Sequence, residues 1–190
     1  MSTPLTIRIA FWLWIFAAVF AGNSGVFQHL PAPAIQGTLV SLTALLVLSY
    51  RLFAVFRTWL NALDLRGIVL LHLTRFVGIY FLVLYRRGEL PYAFAVPGGI
   101  GDIAVALLAL VVVFFPFSPA TRLRAIAIWN VVGLIDILLV VFTAARLGLS
   151  GRRELLALTY LPLSLLPTFL VPLIIASHLL IFARLRREPA

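Results

Sequence analysis

The chain has 190 residues, of which 63% are apolar and 11% are charged. Ordinary soluble domains have roughly 45–50% apolar and about 25% charged residues, so this chain cannot cover itself with a water-facing surface. The composition excludes a soluble enzyme, a nucleic-acid-binding domain and a disordered chain. It predicts an all-α protein embedded in a lipid bilayer.

Charge and cysteine content narrow the setting further. All 15 basic residues are arginine, and with 6 acidic residues the net charge is +9. Most arginines lie between apolar stretches, where lipid headgroups lie. The chain has no cysteine, which excludes disulfides and thiolate metal sites. It also has no lysine, which excludes a Schiff-base chromophore such as retinal.

Six apolar stretches of about the length needed for a spanning helix follow one another along the chain. We predict a single transmembrane domain over residues 1–190, with no internal repeat and with oligomerisation left open. Arg8 and the first stretch resemble a signal peptide, but we favour an uncleaved anchor. The predicted spans are Leu5–Gly22, Ala34–Phe56, Gly67–Tyr85, Gly101–Phe117, Ala125–Ala145 and Leu161–Ala183.

Arginine counts on alternate sides of the six stretches predict the orientation. One side has nine arginines and the other has five. Because arginine is retained on the cytoplasmic side, both termini are predicted in the cytoplasm, in a cytoplasmic (bacterial inner) membrane. The nine are Arg8, Arg51, Arg57, Arg66, Arg122, Arg124, Arg184, Arg186 and Arg187, and the five are Arg86, Arg87, Arg146, Arg152 and Arg153.

Polar and ionisable residues within the apolar stretches are the informative part of the sequence. A charge at the bilayer centre costs about 2.5–3.5 kcal/mol on insertion scales, so each needs a partner or a function. His72 and Arg75 are three residues apart, on one helix face. Asn130 and Asp136 share one face of the fifth stretch, and His178 lies in the sixth.

Depth along the helices groups these side chains. At 1.5 Å per residue, His72, Asn130 and His178 fall in one layer, while Arg75 and Asp136 fall near the midplane. We therefore predict an ion pair between Arg75 and Asp136. Asp102 follows a glycine-rich segment at the start of the fourth stretch, so helix N-capping is its leading interpretation.

Two backbone features favour a cavity. Pro162, Pro167 and Pro172 interrupt the sixth stretch and free carbonyl groups that need donors inside the bundle. Ser164 and Thr168 are available as such donors. The segment from Pro91 to Asp102 is too apolar for a free loop and too rich in proline and glycine for a helix, which predicts a re-entrant or interfacial segment.

Four segments of the chain carry a resemblance to a known family, and they are His72–Gly78, Phe94–Asp102, Trp129–Asp136 and Leu166–His178. They resemble a family of small, uncharacterised bacterial polytopic membrane proteins with six helices, and they cover most of the chain from the third stretch onwards. The resemblance implies a membrane location in bacteria and implies no activity.

Four functions are compatible with the sequence. The first is binding of a small or lipid-like ligand, as in a proton-coupled carrier, with Arg75 holding an anionic group and Asp136 or a histidine exchanging protons. The second is a haem b protein with His72 and His178 as axial ligands. The others are a membrane-embedded isomerase or cyclase and a structural or assembly subunit. The candidate ligand-binding residues are His72, Arg75, Asp102, Asn130, Asp136 and His178, and no other metal site is predicted.

Overall fold

The computed structural model of the chain describes residues 3–150 and 153–187, and no strand occurs in them. Nine α-helices lie within these residues. Short 3₁₀ segments cover Leu71–Phe76 and Arg153–Thr159, and a π-helical segment covers Leu166–Leu170. The helices are α1 (Leu5–Asn23), α2 (Val26–His29), α3 (Ala32–Leu52), α4 (Ala54–Ala62), α5 (Leu65–Leu70), α6 (Val77–Arg86), α7 (Tyr92–Phe114), α8 (Pro119–Leu149) and α9 (Val171–Leu185).

Six of these helices or continuous helical runs are long and apolar enough to cross a membrane. The prediction of an all-α fold with six such segments is confirmed, and the predicted ends shift by up to about nine residues. The six candidate spans, numbered first to sixth below, are Leu5–Asn23, Ala32–Leu52, Leu65–Arg86, Tyr92–Phe114, Pro119–Leu149 and Leu166–Leu185.

One contact at each end identifies the two ends of the bundle. At one end, Arg184 donates a hydrogen bond to the Leu63 carbonyl, and we call this the terminal end because the first span begins there and the sixth ends there. At the opposite end, the Gln28 amide donates to the Thr159 carbonyl over 3.3 Å. We call this the far end.

Residues 92–102 are helical, so the prediction that this segment is too rich in proline and glycine for a helix is wrong. They form the first part of α7, with Pro91 at the N-cap and Pro97 inside the helix, and α7 continues as one candidate span to Phe114. The prediction that Asp102 caps a helix is also wrong, because Asp102 lies in the middle of this helix and is buried. Low helix propensity is overridden here by close packing, for which residues without side chains are favoured.

Glycines explain this packing. A Cβ atom on Gly78 would lie 2.5 Å from the Gly99 carbonyl oxygen, and one on Gly99 would lie 2.7 Å from the Gly78 oxygen. The backbones of α6 and α7 therefore touch directly. This contact brings Asp102 close to the third span, because the Cβ atom of Asp102 lies 2.9 Å from the position that a Cβ atom on Gly78 would occupy.

The sixth span is broken as its prolines predict. Thr168 donates through its hydroxyl to the Ser164 carbonyl over 2.7 Å. Pro172 has no N–H for the Thr168 carbonyl, which instead accepts a 2.8 Å hydrogen bond from the Trp14 indole. The first span is thereby bonded to the π-helical segment of the sixth.

We expect Gly78→Ala to destabilise the fold by about 1–3 kcal/mol, because the added methyl group forces α6 and α7 apart. Gly67→Ala is the matched control, since a Cβ there meets nothing within 4 Å and alanine favours a helix over glycine by about 0.5–1 kcal/mol. Denaturant unfolding in detergent micelles measures both. Equal stabilities for the two variants would contradict the contact.

Candidate functional site

The Arg75 side chain lies at the centre of the bundle and is completely buried. Its Nε donates to Asp102 Oδ1 over 2.7 Å, and Nη1 donates to the Gly133 carbonyl over 2.9 Å. Nη2 donates to the Asp136 carboxylate. The predicted ion pair with Asp136 is therefore present, and Asp102 provides a second carboxylate that the sequence analysis had assigned to a helix cap.

Local backbone geometry places His72 and Arg75 together. Both lie in the 3₁₀ segment Leu71–Phe76, in which residues three apart eclipse one another. The two side chains therefore project from one side of the third span. An α-helix would separate them by about 60° around its axis.

Helix α8 contributes the opposite wall. Asn130, Gly133 and Asp136 follow at intervals of three, and all three face the third, fourth or sixth span. Gly101 of α7 leaves room for the Asp136 carboxylate, because a Cβ there would overlap it. A Cβ on Gly133 would likewise lie 2.7 Å from the His178 ring. Small residues thus admit the polar side chains.

A pair of histidines forms a second polar layer, next to Arg75 on its terminal-end side. His178 Nδ1 lies 2.8 Å from Asn130 Oδ1, while Asn130 Nδ2 donates to the His178 carbonyl. Because the amide NH₂ is engaged by that carbonyl, Oδ1 is the acceptor and His178 donates from Nδ1. His72 Nε2 lies 2.9 Å from Ser177 Oγ, whose hydroxyl donates to the Ile174 carbonyl. His72 therefore donates from Nε2.

The remaining ring nitrogens are acceptors that have no hydrogen-bond partner in the described part of the chain. They are Nδ1 of His72 and Nε2 of His178, and both histidines are fully buried. The two ring centres are 4.3 Å apart, and the Trp129 ring packs against both. Trp129 itself donates to the Val105 carbonyl over 3.0 Å.

This arrangement does not fit a haem between His72 and His178. Axial nitrogens on opposite sides of one metal ion are about 4 Å apart at metal–nitrogen distances of about 2.0 Å, which places the ring centres farther apart still. Here the ring centres are only 4.3 Å apart and the rings are tilted by 55°. A porphyrin plane has no space between them.

A cavity of about 340 Å³ lies between the polar centre and the far end. Arg75, Asp102 and Thr74 line its inner end, and Gln28, Gln36 and Thr159 line it elsewhere. The rest of its wall is mainly apolar. Much of it comes from α3, α8 and the sixth span, including Ile35, Leu39, Ile137, Val140, Val141, Ala144, Leu166 and Ile174.

The structure brings all six sequence-predicted residues into one centre. His72, Asn130 and His178 share the layer that their depths predict. The Gly133 carbonyl and Ser177 are further members that the sequence analysis missed. Ser177 had a weak signal, as a polar residue in an apolar stretch, but its position next to His178 gave no indication that it faces His72.

Comparison with known proteins places the chain in a family. Residues 32–186 match the family model described as a domain of unknown function (DUF8737), and the chain belongs to this family. No curated protein and no solved structure matches the chain. The matched region includes the whole polar centre and begins at the first residue of α3.

We expect Arg75→Gln to destabilise the fold by about 3–5 kcal/mol, because it leaves the buried Asp102 and the partly buried Asp136 without their cation. Arg75→Lys should fall between this variant and the native chain, since an ammonium cannot match the fork of a guanidinium. Arg146→Gln is the control, because Arg146 is exposed. Denaturant unfolding checks the order, and an Arg75→Gln chain as stable as the control would contradict it.

Proposed function

We propose that the chain is an integral membrane protein of the bacterial inner membrane that binds a small or lipid-like molecule in this cavity and carries it across the bilayer. The observation that supports the proposal is the meeting of a largely apolar cavity with a buried ionisable centre. Pockets that bind small molecules are commonly apolar, with a few convergent polar groups that fix orientation. This cavity has that composition.

The shape of the cavity favours an elongated ligand. Along α8 its lining runs from Ile137 to Gly148, which is about 16 Å at 1.5 Å per residue. Its volume of about 340 Å³ lies at the lower end of the range of about 300–1,000 Å³ for ligand pockets. A single short chain or a small ring system suits these dimensions.

The polar centre favours a head group that is neutral or donates hydrogen bonds. Each nitrogen of Arg75 already donates to an acceptor within the protein, two of which are carboxylates. An anionic head group would have to compete with both and would add negative charge beside them. We therefore replace the anionic ligand of the sequence analysis with an uncharged or donor-bearing one.

Access to the cavity is unequal between the two ends. Leu30 and Leu156 line it in the connections at the far end and are exposed, so it is open to the outside of the bundle there. On the terminal-end side of the histidines, an apolar cluster that includes Ile68, Ile126 and Ile181 closes the interior. A carrier that works by alternating access has its binding site open to one side of the membrane and closed to the other in each state. A cavity open at the far end and closed at the terminal end is consistent with one such state.

We expect Ala144→Trp to fill the cavity and reduce binding of a diazirine-bearing alkanol by at least about tenfold, a loss of about 1.4 kcal/mol. Photolabelling of the protein in lipid nanodiscs measures this. Ala104→Trp is the matched control, because Ala104 is exposed on α7.

Equal labelling of the two tryptophan variants would contradict the cavity as the binding site and favour the structural alternative. A diazirine-bearing fatty acid at neutral pH is the second probe. If it labels the native chain more strongly than the alkanol does, the neutral head group is wrong. Uptake of the alkanol into proteoliposomes, lost in Ala144→Trp, tests carriage separately from binding.

For orientation, we propose that the terminal end faces the cytoplasm, as the arginine counts predict. The chain has no cysteine, so single cysteines report topology without background. We expect a membrane-impermeant maleimide to label Glu89→Cys in intact cells and to label Ala120→Cys only after permeabilisation. Both positions are exposed and lie at opposite ends of the fourth span. The reverse pattern would invert the orientation.

A further inference from the structure

We infer that the polar centre binds one exchangeable proton, held by the Asp102 and Asp136 carboxyl pair. The pair accepts hydrogen bonds from the single Arg75 guanidinium. With both carboxylates ionised, the three groups together have a formal charge of −1. An uncompensated charge in a low-dielectric interior is removed by protonation more readily than it is solvated.

The groups around the pair do not supply another fixed cation. Arg75 comes from the third span, Asp102 from the fourth and Asp136 from the fifth. The remaining titratable groups facing the centre are His72 of the third span and His178 of the sixth, and Asn130 of the fifth bonds to His178. No other arginine bonds to either carboxylate in residues 3–150 and 153–187.

Hydrogen bonding places the proton on the carboxyl pair and not on a histidine. A doubly protonated imidazole needs an acceptor for each N–H. His72 Nδ1 and His178 Nε2 have no hydrogen-bond partner among the described residues. Each carboxyl group, in contrast, directs one oxygen to Arg75 and retains a second oxygen that can carry a proton.

The cavity reaches one of the two carboxyl groups directly. Asp102 lines the cavity, with its side chain 4% exposed. A proton therefore exchanges between the carboxyl pair and the cavity through Asp102, while the Arg75 guanidinium bonds to both carboxyl groups. The number of bound protons follows from the charges of Arg75, Asp102 and Asp136. Only the coupling of this proton to transport of a ligand rests on the proposed function.

Infrared difference spectroscopy of the ligand-free protein in nanodiscs tests the inference. A protonated carboxyl group has a C=O stretch that is separate from the carboxylate and amide bands, and ¹³C-labelled aspartate shifts it. The chain has three aspartates, Asp64, Asp102 and Asp136. We expect one protonated aspartate per chain at pH 7, and an unchanged signal in Asp64→Asn.

The variants give a pattern that a purely structural role would not. Asp102→Asn and Asp136→Asn should each abolish the signal, because the remaining carboxylate then pairs one-to-one with Arg75. Arg75→Gln should double it, because both carboxyl groups then lack a cation. No signal in the native chain, or a signal that survives in either Asn variant, would overturn the inference.

Failure of this proposal is distinguishable from failure of the proposed function. Ala144→Trp changes the cavity and leaves the carboxyl pair in place, so its infrared signal should equal that of the native chain. If Ala144→Trp loses alkanol labelling but keeps its infrared signal, the cavity and the proton site are shown to be separate. A native chain that binds the alkanol but shows no protonated aspartate would overturn the proton site alone.

Discussion

One guanidinium group determines how the central helices are set against one another. Arg75 is fully buried and joins the third span to Asp102 on α7 and to Gly133 and Asp136 on α8. Because a guanidinium is planar and its donors have fixed directions, these bonds fix the rotation of each helix as well as its distance. The histidine layer follows from that rotation, since it lies one turn away on the same three elements and on α9.

The sequence predicted the parts of this centre that depend on position along a single helix. Hydropathy located six spans, and a spacing of three grouped His72 with Arg75 and Asn130 with Asp136. The errors concern Pro91 to Asp102, where proline and glycine argue against a helix when considered alone. Direct backbone packing of Gly78 on Gly99 outweighs that propensity, and such a contact between helices leaves no local pattern in either one. Ser177 was missed for the same reason.

The two halves of the bundle differ in what fills them. A cluster of buried apolar side chains forms the core at the terminal end, whereas the far end contains a cavity and a sixth span interrupted by prolines. The interruption leaves the Thr168 carbonyl without its usual donor, and Trp14 supplies one. The first span, which lies outside the family match, is thus joined to the π-helical segment of the sixth span by a hydrogen bond to a carbonyl that a proline leaves free.

The 3₁₀ segment that carries Arg75 has a mechanical consequence. Six residues in this form rise about 12 Å and turn through about 720°, whereas an α-helix of the same length rises about 9 Å and turns through about 600°. Conversion of Leu71–Phe76 from one winding to the other would shorten the third span by about 3 Å and twist α6 against α5 by about 120°. A change confined to this short stretch of backbone would therefore move the Arg75 guanidinium along the helix axis and rotate it away from its acceptors at the same time.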